Sequence, residues 1–281
     1  PRSVSLEGRW HSSSRNYDMS RWNILLPIHK EENDTMMLSA SDLTQTFGRE
    51  IPMDGGVRVP EVLQKAELGL QYYRQLEDGK SWVIRFLGGF SGDSEINDRS
   101  QSLYSFSGHY AFPSSTNSDD IWAITLLYGN SSPLSSTIPI PGLLYFFKRG
   151  FLSGVVGFPF LSLSYQYNEY IFSMQWIGTS VSLEAAQGNP REGQIYAGWS
   201  WSQNTYILQQ RVQDKDRLTA DEKKAVIGIR KPLLPFLRAD LQAGLSYDRS
   251  VFVGQGSFNR DRGSQNIDRE SFIQASLRMF Y

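Results

Sequence analysis

Apolar and polar residues alternate with a period of two along most of this chain. In "SLYSFSGHYAF", Tyr104, Phe106 and Tyr110 fall on one face, and Ser105 and Ser107 fall on the other. This period is typical of a β-strand with one apolar face and one polar face. Segments of roughly ten residues with this pattern recur about fourteen times, with turn residues between them. The chain is therefore predicted to be all-β, and the open question is what its apolar faces meet.

Aromatic residues mark the ends of these apolar stripes. The sequence contains 14 Tyr, 16 Phe and 7 Trp, and Trp10, Trp22, Trp82 and Tyr128 all lie at stripe ends. Aromatic girdles of this kind lie at the two interfaces of a membrane barrel. No run of about 18 apolar residues is present, so no transmembrane helix is predicted. The pattern favours a transmembrane, antiparallel, up-and-down β-barrel.

The number and length of the segments indicate the topology. We count about fourteen strands, with 12 to 16 possible, in a single barrel domain that covers residues 1–281. Long connections at 48–62, 130–142 and 253–268 alternate with short turns such as "EDGK" and "PLLP". Long loops of such barrels face outside and short turns face the periplasm, so we expect the long connections on one side.

Three local features carry further expectations. The apolar register changes after Gly178, which predicts one strand with a bulge there. The stretch "DKDRLTADEKK" is predicted to be a polar loop. The loop 130–142 contains three prolines and either folds inward to gate a pore or is an exposed connection.

A water-soluble β-sandwich or lipocalin-like barrel is the structural alternative, since it also alternates but turns its apolar face inward. Three observations disfavour it. The chain is long for one such barrel, its polar faces are rich in Ser, Gly, Gln, Arg and Glu without the Lys and Thr of an exposed sheet, and its aromatic residues lie at stripe ends. These observations favour lipid as the partner of the apolar faces.

In a membrane barrel, the opposite faces line the lumen. The charged residues predicted to lie there are Glu7, Arg9, Arg21, Glu67, Arg85, Glu184, Arg238, Asp240 and Arg278. Charges of both signs indicate a porin-like channel or transporter for small solutes, selecting by size and weakly by charge. The alternative is a structural or assembly barrel whose lumen is filled by paired charges or plugged by a partner. Fourteen strands fall between filled eight-stranded barrels and open barrels of sixteen or more.

A lipid-modifying enzyme is a weaker alternative. The chain has three histidines, and His109 shares a predicted face with Ser107. A nucleophile needs an adjacent base and an orienting third group, but serines are frequent on this face, so the pair is expected by chance. We therefore expect no enzyme activity, no catalytic residue, no metal site and no cofactor. A formal net charge of −1 gives no reason to expect nucleic-acid binding.

The final strand, "SFIQASLRMFY", resembles the C-terminal signal of bacterial outer-membrane barrels, although it ends in Tyr281 where Phe is usual. Residues 64–281 resemble an uncharacterised family of Gram-negative outer-membrane β-barrel proteins. The stretches that carry this resemblance are "PIPGLLYFF", "GFPFLSLSYQYNEY" and "FLRADLQAGLSYDRSVF". The resemblance implies a porin-like fold and an outer-membrane location, and no activity.

This location implies further expectations about processing and partners. The chain does not begin with Met, and we expect an exported protein whose signal peptide has been removed. The expected partners are outer-membrane lipid and lipopolysaccharide, and the barrel assembly machinery through the C-terminal strand. A protein of the cell envelope or further copies of this chain are possible additional partners. We also expect the last strand to pair with the first around "SVSLEGRW", because lipid tolerates no open sheet edge.

Overall fold

The computed structural model describes most of the 281-residue chain. The described residues are 5–13, 17–53, 58–93, 99–115, 119–130, 138–209, 211, 213–255, 260 and 263–280. Within these ranges, no helix has the length and apolar character needed to cross a membrane.

Sixteen strands of the described residues form the wall of a barrel. The first eight are β1 (Ser5–Ser13), β2 (Asp18–Lys30), β3 (Asp34–Thr46), β4 (Val62–Gln75), β5 (Ser81–Gly92), β6 (Ser102–Pro113), β7 (Ile121–Gly129) and β8 (Ile140–Arg149). The second eight are β9 (Leu152–Phe158), β10 (Phe160–Tyr167), β11 (Tyr170–Ile177), β12 (Ser180–Gln187), β13 (Gln194–Tyr206), β14 (Arg217–Leu234), β15 (Leu237–Gly254) and β16 (Glu270–Phe280). Three short strands lie outside the wall: Ile51–Pro52 pairs with Arg58–Val59, and Ser264–Ile267 pairs with the end of β15.

Each wall strand pairs antiparallel with its neighbours in sequence, and β1 closes the ring by pairing with both β2 and β16. In this closure Ser5 lies opposite Leu25 on one side and Phe280 on the other. Closure gives every strand two hydrogen-bonded neighbours, which lipid demands of a spanning sheet. The predicted up-and-down barrel and the pairing of its first and last strands are confirmed. Tyr281 lies outside the described residues.

The count of about fourteen strands was two short, and Gly178 explains one of the missing strands. Residues 170–187 form a hairpin of β11 and β12, in which Ile177 pairs with Ser180. Gly178 occupies the turn with a φ of 57°, a left-handed conformation that favours glycine. Across a two-residue turn, even-numbered positions pair with odd-numbered ones, so Trp176 lies beside Val181. The register change therefore marks a turn, and the predicted bulge is wrong.

The second missing strand is β9, whose glycines obscure the alternation. Gly157 of β9 pairs with Leu144 of β8. A Cβ at Gly157 would lie 1.9 Å from the carbonyl oxygen of Leu143, so the two backbones approach too closely for a side chain. The glycine that makes this contact possible also removes the alternating side chain by which a strand is recognised.

The prediction of a polar loop at "DKDRLTADEKK" is also wrong for its second half. Residues from Arg217 onward belong to β14, an 18-residue strand that pairs with β13 and β15 along its length. Lys223 forms an ion pair with Asp248 of β15. Cross-strand ion pairs of this kind stabilise a sheet without any apolar stripe.

The outer surface of the barrel is apolar, as predicted. Of the residues predicted to face lipid, Tyr104, Ile124, Tyr165, Phe172 and Leu241 are exposed large side chains on the outside of the wall. Their sequence neighbours on the other face, such as Leu103, Ala123 and Thr125, are buried. An outward apolar band of this extent is what a lipid-facing barrel presents.

Antiparallel pairing sorts the connections into two ends of the barrel. One end, here called the loop end, carries the connections 47–61, 93–101, 130–139, 207–216 and 255–269. The other end, here called the turn end, carries the connections 31–33, 76–80, 150–151, 168–169 and 235–236, and β1 starts and β16 finishes there. The three long segments predicted to share a side therefore lie at one end, opposite "EDGK" and "PLLP".

If these side chains face lipid, a charged substitution should destabilise the barrel more at the middle of the bilayer than at its surface. Ile124, in the middle of β7, is 54% exposed, and Leu233, near the turn end of β14, is 55% exposed. We expect Ile124→Arg to lower the free energy of unfolding by about 2–4 kcal/mol and Leu233→Arg by about 0–1 kcal/mol. Denaturant titration of each variant in lipid vesicles measures both values. Equal costs at the two positions would contradict the assignment.

The loop end is predicted to face the outside of the cell. The sequence has no cysteine, so a single introduced cysteine is a clean reporter. Lys215 at the loop end and Glu77 at the turn end are both exposed. We expect a membrane-impermeant maleimide to label Lys215→Cys on whole cells and to label Glu77→Cys only after lysis. Labelling of Glu77→Cys on intact cells would reverse the orientation.

Candidate functional site: the barrel lumen

At the loop end, a short segment joins opposite walls of the barrel, which lie close enough there for direct hydrogen bonds. This crossing segment, Thr205–Gln209, leaves β13 and meets β5, which lies eight strands away in the sixteen-stranded ring. The Ile207 N–H donates to the Ser91 carbonyl at 3.0 Å, and the Ser91 hydroxyl donates to the Thr205 carbonyl at 3.3 Å. The Gln209 N–H donates to Asp93 Oδ1 at 3.0 Å. Hydrogen bonds between opposite walls hold the segment across the barrel.

Apolar packing seals the crossing segment in place. Tyr206, Ile207 and Leu208 are all buried. The surrounding cluster, which together with the crossing segment is called the cap below, contains Tyr17, Phe47, Met53, Val59, Leu63, Tyr206, Leu208, Leu218, Val251 and Val253. The Tyr206 hydroxyl donates to Gln45, whose Nε2 donates to the Tyr17 hydroxyl at 2.9 Å. The buried polar groups of the cap are thus satisfied, which makes it a stable closure.

The sequence pointed to a different segment as the gate. Most of the loop 130–142, residues 131–137, lies outside the described residues. The segment that the structure places at the loop end of the lumen follows β13. The strand is continuous through Tyr206, and the chain enters the lumen immediately after it.

A layer of buried charges lies next to the cap. Glu222 accepts from Lys224 at 2.8 Å and lies 3.4 Å from Arg249, and Arg249 Nη1 contacts Glu270 at 2.5 Å. The side chains of Arg249 and Glu270 are only 4% and 2% exposed. Two acids and two bases balance each other here, as buried charges must. We call these four residues the buried ion layer.

Aromatic side chains join the buried ion layer to the cap. The guanidinium of Arg249 lies 4.2 Å from the ring centre of Tyr17, a cation–π contact. The buried ring of His11 packs between Tyr17 and Phe272, with centroid distances of 5.4 and 4.3 Å. Cap and ion layer therefore form one continuous packed region at the loop end.

A large cavity in the lumen, lined by described residues, has a volume of about 810 Å³. Its walls are the inner faces of β11 to β16, β1 and β2, and they carry many serines, among them Ser173, Ser180, Ser182, Ser200, Ser202 and Ser276. A second cavity of about 410 Å³ lies against β2 to β5. Arg21 and Asn204 line both cavities, so these two side chains stand at the boundary between them.

The structure places all nine predicted lumen residues along these two cavities. Seven line the larger cavity: Glu7, Arg9, Arg21, Glu184, Arg238, Asp240 and Arg278. The smaller cavity is lined by Arg21 together with Glu67 and Arg85. Their role as the lining of a conducting pore stays a prediction.

Ion pairs connect part of this set. Glu7 Oε1 lies 3.1 Å from Arg9 Nη2 and 3.0 Å from Arg278 Nη2. On the neighbouring strands, Arg230 contacts Glu184 directly and lies 3.7 Å from Asp240. These contacts leave the side chains partly open to solvent, unlike the buried ion layer.

Several lumen residues were not found from the sequence. Glu222 and Lys224 were missed because their stretch was assigned to a loop, and Arg230 was missed although it alternates with Ile227 and Ile229. In β14, the outward apolar residues are Ala225, Ile227 and Ile229. Alternation with these positions places the even-numbered residues Glu222, Lys224 and Arg230 on the inner face. Tyr196 was missed because the apolar–polar alternation does not show whether a tyrosine hydroxyl forms a hydrogen bond. In the structure, the Tyr196 hydroxyl donates to Asp240 at 2.5 Å.

The histidines show no arrangement for catalysis. His109 and Ser107 share the inner face of β6, and within the described part of the chain no hydrogen bond joins them. His29 lies 3.4 Å from Glu31 near the turn end. No group of three or more His, Cys, Asp or Glu side chains among the described residues is placed to hold a metal ion.

No protein-family model matches this sequence, and no curated protein matches it either. Among solved structures, the chain is similar to an outer-membrane channel of Pseudomonas putida F1, with 8% identity, 100% of this chain and 96% of that chain covered, and a TM-score of 0.38. It is similar to the Pseudomonas putida toluene transporter TodX, with 9% identity, coverages of 99% and 88%, and a TM-score of 0.37. It is also similar to OmpT, an outer-membrane protein of Vibrio cholerae, with 7% identity, coverages of 99% and 96%, and a TM-score of 0.38.

These TM-scores are low, so the assignment of the fold depends on the strand pairing of the chain itself. A closed antiparallel ring with an even number of strands and an outward apolar band is the outer-membrane type of barrel. The chain is therefore a closed β-barrel of the outer-membrane type, and its place in a bacterial outer membrane stays a prediction.

The buried ion layer gives a prediction about stability. Glu270→Gln would leave the guanidinium of Arg249 buried with less compensation, and we expect a loss of about 3–5 kcal/mol in the free energy of unfolding. The matched control is Glu50→Gln, which breaks an exposed pair with Arg58 at 3.3 Å on the same end of the barrel. Its expected cost is about 0–1 kcal/mol. Denaturant titration in vesicles compares the two, and similar costs would show that the layer is solvated.

Proposed function

We propose that this protein is a channel for small hydrophilic solutes whose mouth is closed at the loop end by the cap. The observation that carries the proposal is the larger lumen cavity of about 810 Å³, lined by serines and by charges of both signs. Side chains on its wall remain in contact with solvent: Arg278 is 44% exposed and Arg9 is 34% exposed. If the charged side chains of the lumen served only to fill the barrel, they would be buried as ion pairs.

The chemistry of the wall supports a polar, uncharged or charged solute over an apolar one. Serine hydroxyls both donate and accept hydrogen bonds, and charged side chains line the remainder of the wall. An apolar solute would displace water from these groups without replacing its hydrogen bonds, which costs binding free energy. Small hydroxyl side chains also leave the cavity wide.

Under this proposal, the structure corresponds to a closed state of the channel. The cap fills the loop end, and the crossing segment is held by a small number of hydrogen bonds to Ser91 and Asp93. Each bond of this kind contributes about 0.5–1.5 kcal/mol. Displacement of residues 207–209, which lie beyond the paired part of β13, would open the lumen without any change in the strand pairing.

A structural barrel is the second candidate, and one observation favours it. The cap and the buried ion layer together form one packed region at the loop end of the lumen. A barrel that is sealed permanently, by itself or by a partner from the envelope, would have this appearance. Conductance separates the two candidates.

Other aspects of the function are proposals of the same kind. We propose that the protein has no enzyme activity and needs no cofactor. Lipopolysaccharide around the outer rim, the barrel assembly machinery at the C-terminal strand, and an envelope protein or further copies of the chain are its proposed partners.

Single-channel recording in planar bilayers tests the channel. We expect the wild type to be closed for most of the time, and Leu208→Asp to raise the open probability. Leu208 is buried in the cap, and an unpaired carboxylate there favours the displaced segment. The matched control is Ile138→Asp, which adds the same charge to an exposed side chain at the same end.

Two further measurements keep the result interpretable. Asp93→Ala removes one acceptor that holds the crossing segment and is a milder way to free it if Leu208→Asp does not fold. Circular dichroism confirms that each variant forms its barrel. If folded Leu208→Asp and Asp93→Ala both remain electrically silent, the lumen is sealed and the structural candidate is correct.

A further inference from the structure

We propose that the larger cavity is a binding site for anions, and that the channel selects solutes that carry a carboxylate or a phosphate. The proposal rests on the channel function proposed above and names its substrate class. The site is a row of four arginines on the inner face of β15, β16, β1 and β2. We call it the arginine row; its members are Arg238, Arg278, Arg9 and Arg21.

The strand register places like charges directly opposite each other. Arg238 of β15 pairs with Arg278 of β16, and Arg9 of β1 pairs with Arg21 of β2. Side chains in such pairs are direct neighbours, and like charges there destabilise a sheet. Two such pairs on adjacent strands are a cost to the fold that no apolar or structural requirement of the wall explains.

The row has one carboxylate among its four guanidinium groups. Glu7 contacts Arg9 and Arg278, at 3.1 and 3.0 Å. Arg238 donates to the carbonyl of Pro190 at 3.0 Å, which neutralises no charge. Arg21 has no hydrogen bond or ion pair within the described part of the chain. The next acid on this wall is Asp240, two residues from Arg238 on β15. Counting Glu7 and Asp240 together, the four guanidinium groups keep an excess of two positive charges.

The rest of the lumen shows that this excess is local. The buried ion layer balances two acids against two bases. Beside the row, Arg230 of β14 contacts Glu184 of β12, which balances its charge, and lies 3.7 Å from Asp240. The charges of these two groups are paired, whereas the arginine row keeps guanidinium groups without an acid.

Arginine is suited to bind the anions in question. Its planar guanidinium presents donors in a fork that matches the oxygens of a carboxylate or phosphate. Rings of basic side chains are also the means by which anion pores select. In the row, Arg278 and Arg9 reach solvent, and the Nε of Arg9 has no hydrogen-bond partner in the described residues. A solute anion in the cavity would supply the missing negative charge.

The reversal potential under a potassium chloride gradient tests this inference, recorded on the wild type and on Leu208→Asp. We expect preference for chloride over potassium, and a severalfold fall in that preference in Arg21→Gln, with Arg21→Lys retaining most of it. The matched control is Arg58→Gln, which removes an arginine exposed at the loop end, and it should leave the preference unchanged. Inorganic phosphate added to the chloride solution should reduce the current, and less so in Arg21→Gln.

The outcomes distinguish the two proposals. Current without anion preference, or with preference for potassium, overturns the anion site while the channel stands. An equal loss of preference in Arg21→Gln and Arg58→Gln shows a general effect of net charge and also overturns the site. Absence of current in every folded variant overturns the channel, and the anion-selective pore with it.

Discussion

The pairing of β16 with β1 is the contact on which the rest of the structure depends. In a bilayer no water is available to satisfy the backbone of an edge strand, so a spanning sheet must close on itself. The pairing that places Ser5 opposite Phe280 gives every wall strand a neighbour on both sides, so no edge strand remains. It also fixes which face of each strand meets lipid. The outward apolar side chains and the inward polar ones are both consequences of that ring.

A closed ring of sixteen strands encloses more space than one layer of side chains fills, and this protein treats the two ends of that space differently. At the loop end, the cap and the buried ion layer pack the lumen with satisfied groups. Toward the turn end, the larger cavity keeps its charges partly solvated and leaves the arginine row without enough acids. The degree to which charges are paired therefore follows burial, as the cost of desolvation requires.

The sequence predicts what is local and fails where distant segments meet. Alternation assigns a residue to one face of its strand from the neighbouring residues alone, because the side chains of a strand have a period of two. For this reason, Glu7, Arg9 and Arg278 could be assigned to the lumen from the sequence. The turn at Gly178 was misread because a bulge and a two-residue turn produce the same change of register. The crossing segment could not be predicted at all: its bond from Ser91 to Thr205 joins residues 114 positions apart, and nothing in either stretch signals the other.

The misassigned stretch at the start of β14 has a physical explanation that also accounts for the position of the cap. A membrane strand needs about 9–11 residues, whereas β14 and β15 each have 18, so both extend well beyond the bilayer at the loop end. Outside lipid, the outward face meets water and loses its apolar stripe, which is why Asp221 and Lys223 occupy it. The inward face of the same extension, with Leu218 and Val251, is then free to become apolar and to support a cap. Inversion of the usual barrel pattern beyond the membrane is thus what allows this lumen to be closed by a hydrophobic core.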